Sequence, residues 1–430
     1  MHRNINRRKW IAGFTSLFAA GGLFSKIGCK PTDKAGSPAA HFGDFHHYFG
    51  DLHNHSEMGY ASGSLERVFD IAAGRLDFLA HTPHSHWPDV PRMPGGMEKK
   101  WLDGFAATRR LYPRLTELNR EYHNPGRFVT FQGYEWHSSF YGDFCIVFPG
   151  DDSPLTHYYS LKDLQDFTAG KNAFLIPHHP AYLRGHRGAN PEHWDGRITR
   201  HLEIYSEHGN AENDEGPLDY IRHSMGGRWT PNTLQAILAS GRRVGVLASS
   251  DNHLGCPGAY GEGLAVVLAR ELTRESLFEA LGQRRCYGVS GDRIRLDFAV
   301  NGRLMGEEIA YSPAREIDVE VSGWDRLEQV EVLKNNRVVH REFPDEREMA
   351  DADWSRPLLV RLELGWGPWA SLGSPRTCDW ELEVKVEGGT LAEVQTCFQS
   401  GPLDETRRDR ITDLSASVFK LTSFTSRLEA

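Results

Sequence analysis

Between about residues 47 and 295, apolar runs of strand length alternate with segments of helical spacing, and five of those runs end on metal-binding side chains. "GDLHNH" carries His53 and His55, and "LDFLAHTPH" carries His84. "FQGYEW" carries Glu135, "FLIPHHP" ends in His178 and His179, and "GVLASSDNH" ends in Asp251 and His253. Strand–helix alternation of this kind builds a largely parallel sheet, and a closed barrel fits the length. In α/β barrels the working groups collect at the C-terminal ends of the strands, where the strand-to-helix loops meet. Alternate residues of a strand share a face, so His53 and His55 can chelate one ion together.

The spacing predicts helices in "SLERVFDIAAGR", with Ser64 as N-cap, and in "LKDLQDFTAG", "NTLQAILASG" and "TRESLFEALGQRR". After residue 295 the pattern changes. "REIDVEVSGW", "LEQVEVLKNNRVVHREF", "PLLVRLELGW" and "DWELEVKVEG" alternate apolar and polar residues at period two, which predicts a smaller β-sandwich-like domain over residues 296–430. A chain of 430 residues accommodates this division, and its formal charge of -9 argues against nucleic acid as a partner.

The first 29 residues read as an export signal. "MHRNINRRKW" is basic, "IAGFTSLFAAGGLF" is apolar, and Arg7-Arg8 suits a twin-arginine signal. Ile27-Gly28-Cys29 suits the end of a lipoprotein cleavage site, although Lys26 stands where Leu is usual, so lipidation of Cys29 stays open. Residues 30–46 are rich in Pro, Gly, Ser and Ala and read as a tether. The expected location is the periplasm or a membrane-anchored position in the cell envelope. The cysteines form no C-x-x-C pair, and Cys378 and Cys397 could form a disulfide there.

The order and spacing of "GDLHNHS", "LDFLAHTPHSH", "GYEW", "IPHHP", "ASSDNH" and "LTRESLFEAL" resemble the polymerase and histidinol phosphatase (PHP) superfamily of metal-dependent phosphoesterases over residues 47–300. The resemblance implies a distorted (β/α)7 barrel with two to three divalent ions (zinc, manganese or iron) at the strand ends. It implies that His53, His55 and Asp251 hold the first ion. Glu135 would bridge the first and second, His179 would hold the second, and His84 and His253 the third. Three positions depart from the superfamily. Ala61 and Ser62 stand near an expected acid or histidine, Pro83 replaces an Asp, and Asp143 follows Gly142 where a histidine is usual. Asp143 can still ligate through oxygen. His178 is the alternative to His179. His81 reads as a core residue, and Glu203 and His208 as supporting rather than ligating residues.

Arg184, His186 and Arg187 in "YLRGHRG" suit an anionic substrate, and Trp87 in "SHWPDVP" could wall the site. In the implied chemistry the ions, with Glu135 and Asp251, activate water against phosphorus, and His137, His186 or His253 protonates the leaving oxygen. The expected substrate is a small anionic or glycan-linked ester. Two other readings stay open: hydrolysis of a sulfate ester, lactone or amide on the same barrel, or a catalytically weak glycan-binding protein.

Overall fold

A computed structural model describes residues 42–214, 218, 228–324, 327–343, 357, 377–394 and 410–426. The signal, most of the tether, the run "PLLVRLELGW" apart from its first residue, and Cys397 lie outside them. In chain order the main elements are β1 (His46–Asp51), α1 (Leu65–Arg75), β2 (Phe78–His81), β3 (His84–His86), α2 (Glu98–Tyr122), β4 (Val129–Trp136), β5 (Asp143–Val147), α3 (Leu161–Gly170) and β6 (Phe174–His178). There follow β7 (His201–Ser206), β8 (Gly209–Asn210), α4 (Leu234–Ala239), β9 (Gly245–Ala248), β10 (Leu264–Ala269), α5 (Arg274–Gly282) and β11 (Cys286–Val289). The four helices expected from spacing all form. Ser64 caps α1 by accepting from the amide of Arg67, and Ser160, Thr233 and Thr273 cap α3, α4 and α5 in the same way.

The strands make one curled sheet of order β11-β10-β1-β2-β4-β5-β6, with β3 on β4, and a separate sheet of order β8-β7-β9. β7 packs beside β6, and β9 beside β11. The curled sheet is mixed rather than largely parallel: β1–β2, β2–β4 and β3–β4 run parallel, as do β7 and β9 in the separate sheet, but β10 on β1, β11 on β10, β5 on β4 and β6 on β5 run antiparallel. The β4–β5 reversal has a simple cause. Only residues 137–142 separate these strands, too few for the crossover that a parallel pair needs. The reversal brings the first residue of β5, Asp143, beside the last residues of β4, where Glu135 stands.

Both faces of the curled sheet are covered. Along β4, Val129 and Phe131 join one apolar cluster, with Phe78, Val267 and Phe278, while Tyr134 and Trp136 join the other, with Phe69 and Leu115. Glu135 lies two pleats beyond Phe131 on the same face. The inner row of apolar side chains therefore ends, at the rim of the sheet, in a carboxylate.

Beyond residue 290 come β12 (Arg295–Val300), β13 (Arg303–Leu304), β14 (Ile317–Ser322), β15 (Val330–Lys334), β16 (Arg337–Glu342), β17 (Thr377–Lys385), β18 (Arg410–Thr412) and β19 (Val418–Ser426). They form three small antiparallel sheets, β13-β12-β14, β15-β16 and β17-β19-β18. Asn335 and Asn336, both at positive φ, make the tight turn between β15 and β16 that "KNNRV" signals. Among the described residues beyond 295, the buried apolar side chains are Ala299, Val321 and Phe419.

Candidate metal centre

Asp51, the last residue of β1, organises the site without entering it. Its buried carboxylate accepts from the amides of His53 (3.1 Å), Ser250 (3.1 Å) and Gly258 (3.0 Å) and from the Ser250 hydroxyl (2.5 Å). Two backbone bonds, Asp251 N–H to His53 O (2.7 Å) and His55 N–H to Asn252 O (2.9 Å), complete the lock. The loops after β1 and β9 are thus held side by side, with His53, His55 and Asp251 turned to one point. The Asp251 carboxylate Oδ1 lies 2.8 Å from His55 Nε2 and 3.3 Å from His53 Nε2. Asp251 has φ of 52° and His179 φ of 29°. Non-glycine residues adopt this conformation rarely, and it collects at functional sites.

β3 and β4 place the next group. His84 and Glu135 are register partners on these parallel strands, so their side chains share a face. Tyr60 stacks on the His84 ring at 3.7 Å between centroids, and Thr108 of α2 bonds the His84 carbonyl at 2.7 Å. Glu135 Oε2 is then surrounded: the Nε2 atoms of His53, His55, His84 and His137 lie 3.7, 3.6, 3.6 and 3.5 Å away. All five side chains are buried, and Oε2 accepts no hydrogen bond. Those separations are long for N–H···O bonds, which run about 2.7–3.2 Å. They match ligands of a shared cation: donors about 2.0–2.2 Å from a tetrahedral zinc stand roughly 3.4 Å apart.

At His55 and His84 the protonation states agree; at His53 burial is outweighed by its neighbours, Asp251 and Glu203 among them, which hold it well above the ordinary histidine range, so a cation there would displace a proton. Burial, and then the neighbouring His253, push His55 down to about 3. Burial, and then His55, hold His84 well below the ordinary histidine range. Both rings are neutral at pH 7, the form that binds a cation. Burial alone would raise Glu135, but the facing imidazoles, His137 foremost, outweigh it and keep the carboxylate ionised. The residues present therefore fit divalent ions of imidazole and carboxylate preference.

Sets with ligand atoms within 4.8 Å of one another around this point include His53, His55 and Asp251; His53, Glu135 and His178; His84, Glu135 and His137; and His55, His84 and His253. His253 sits at the rim, its Nδ1 3.0 Å from Glu207. Asp143 is engaged differently. Its Oδ2 receives Arg187 Nε at 2.7 Å and lies 2.9 Å from His137 Nδ1 and 3.3 Å from His179 Nε2, while Oδ1 accepts from the Ser138 amide at 3.2 Å. Arg187 is buried and lies over the Trp87 ring at 5.2 Å.

Of the three candidates for an anionic substrate, Arg187 alone is buried against the cluster. Arg184 pairs with Glu192 at 3.0 Å, and His186 is exposed. His178 and His179 are both buried. His178 faces Asp251 (3.2 Å) and His179 faces Asp143. His81 is a core residue bonded to Asn54 and Ser56. Asp51, Tyr60, Tyr182 and Glu207 were not read from the sequence. Asp51 carried a signal, since it closes a strand immediately before the His-x-His.

Known proteins similar to this chain are themselves described sparingly. Residues 258–314 match a family described as a protein of unknown function, DUF3604. That stretch contains none of the candidate ligands. An uncharacterised protein of Chlamydia muridarum (strain MoPn / Nigg) is 25% identical over 327 residues, 70% of this chain and 49% of its own length. One of Chlamydia trachomatis is 29% identical over 174 residues, 37% of this chain and 28% of its own. The chain thus spans about half the length, or less, of these curated relatives. Among solved structures, a two-domain protein from Bacteroides vulgatus ATCC 8482, containing a predicted PHP-like metal-dependent phosphoesterase, aligns with a TM-score of 0.38 at 13% identity. The alignment covers 69% of this chain and 91% of that one.

Proposed function

We propose that this chain is an exported metal-dependent hydrolase of PHP type, and that it cleaves a phosphoric ester. In this reading the curled sheet with β7 and β9 is a distorted (β/α)7 barrel over residues 47–295. Residues 1–29 direct export, and residues 296–430 are a second domain. The observation that carries the reading is the buried Glu135 Oε2, ringed by four imidazole nitrogens with no hydrogen bond to any of them. His53, His55 and Asp251 would hold one divalent ion, and His84, Glu135 and His137 a second. Cations bound there would acidify water and stabilise negative charge on a phosphoryl oxygen.

The chain's own groups favour an anionic substrate. Asp143 orients the Arg187 guanidinium beside His137, and a guanidinium fork matches phosphate or sulfate oxygens. His137 turns Nδ1 to Asp143 and Nε2 to Glu135, the posture of a ligand rather than a proton donor. His253 suits that second role. Burial opposes its protonation, but Glu207 and Asp251 together outweigh burial and raise it to about 9, so it would carry a proton for the leaving oxygen at neutral pH.

The test is elemental analysis of purified protein followed by a panel of aryl phosphate monoesters, diesters and sulfates. The expected result is at least two equivalents of transition metal and turnover of a phosphate ester. Glu135→Gln should cost about a hundredfold or more in activity, and His84→Ala less, because Glu135 faces every candidate position and His84 only some. Under one equivalent after reconstitution, or cation-loaded protein inert on every phosphate ester, would refute the proposal.

A further inference from the structure

Asp251 has a second oxygen, and it faces a different pair of imidazoles. Oδ2 lies 3.2 Å from His178 Nε2 and 2.7 Å from His208 Nε2. The three ligand atoms lie within 4.8 Å of one another, and all three side chains are buried. Each imidazole is fixed from behind. His178 Nδ1 bonds Glu203 Oε1 at 2.7 Å, and His208 Nδ1 bonds the Tyr182 hydroxyl at 2.6 Å. The two Nε2 atoms are therefore the ones presented to Asp251. A polar partner on the far nitrogen is how metal-ligating histidines are commonly oriented. Glu203 also holds His53 Nδ1, at 3.2 Å, so one carboxylate sets a ring on each side of Asp251.

We propose that His178, His208 and Asp251 form a further cation position. It takes a divalent ion of imidazole preference, such as zinc or cobalt(II), and shares Asp251 with the His53–His55 position through opposite carboxylate oxygens. The proposal rests on the reading that the neighbouring cluster holds cations. It assigns His178 and His208 as ligands, and Tyr182 and Glu203 as positioning residues. A carboxylate bridging two ions offsets part of their repulsion, which explains why an acid, rather than a third imidazole, stands between the two pairs.

Stripped protein titrated with cobalt(II), with heat and elemental content both measured, tests this on the full chain. His208→Ala should bind one equivalent fewer than the wild type. Tyr182→Phe keeps the ring and removes the hydroxyl, so it should weaken the same single equivalent about 10–100-fold and leave the others unchanged. It also guards against misfolding of the alanine variant. If the wild type binds cobalt and both variants match it in number and affinity, the His178–His208 position does not exist, while the Glu135 cluster stands. If the wild type binds none, the metal reading of the whole site fails with it.

Discussion

At Asp143 one carboxylate answers to four partners: Arg187, His137, His179 and the Ser138 amide. The resemblance to PHP enzymes puts a ligand there, and that position was legible because Asp143 follows Gly142 at a strand start. Arg187 was legible only as one of three basic groups on a loop. Its approach to Asp143 across 44 residues, with Trp87 beneath it, is a tertiary fact that no local pattern encodes. The geometry makes Asp143 the anchor of a buried guanidinium. Asp143→Asn would remove the carboxylate that Arg187 pairs with, and breaking such a pair at a buried site costs about 3–5 kcal/mol. Denaturant unfolding should show that loss, and elemental analysis should show metal content unchanged. If instead one equivalent of metal disappears with little loss of stability, Asp143 is a ligand first. His178 and His208 were harder to read. His178 adjoins a better motif match, His179 before Pro180, and His208 lies in a loop where spacing gives no direction.

Elements with clean periodicity were readable, and those with mixed signals were not. The amphipathic rows and N-caps of α1, α3, α4 and α5 announced themselves. The longest helix, α2, did not, because Gly104 and Pro113 interrupt it and charged residues dominate its surface. Its buried row of Phe105, Thr108, Tyr112, Leu115 and Leu118 does keep helical spacing and was the available signal. Gly104 fits where α2 crosses the loop after His55: an added Cβ would lie 2.8 Å from the Gly59 carbonyl carbon. β7 meets α5 through its first residue, His201, whose Nε2 donates to the Leu281 carbonyl at 2.9 Å while buried Nδ1 has no partner. Protonation would put a second N–H where nothing accepts it, and burial pushes the pKa down to about 4. A histidine lowered in the folded state stabilises the fold above the unfolded value near 6.5, and that contribution fades as pH falls toward 4. By pH 5 the loss is about 2 kcal/mol. His201→Gln keeps the donor without the titration, so its stability should fall less than wild type between pH 7 and pH 5 by about that amount. Parallel pH profiles would show that His201 is not buried in this way.

Across the whole molecule, every candidate ligand lies before residue 254, while the chain continues for a further set of small sheets. Those sheets do not float free at their start. Tyr287 of β11 donates to Ile294 O at 2.8 Å and accepts from Leu296 N at 3.0 Å. Arg284, just past α5, donates to Gly306 O at 2.9 Å and pairs with Glu308 at 3.2 Å. Gly306 has φ of 87°, and an added Cβ would stand 2.3 Å from Gln283 O and 2.5 Å from Arg284 O. This backbone contact admits glycine alone. Gly306→Val must therefore open the seam between α5 and β13, at a cost of about 1–3 kcal/mol by overpacking. Because Asp51 and the loops it clamps lie elsewhere, metal content and ester hydrolysis should hold while proteolysis between residues 290 and 310 accelerates. If hydrolysis instead falls in step with cleavage, the later sheets support the metal centre and the two parts work as one unit.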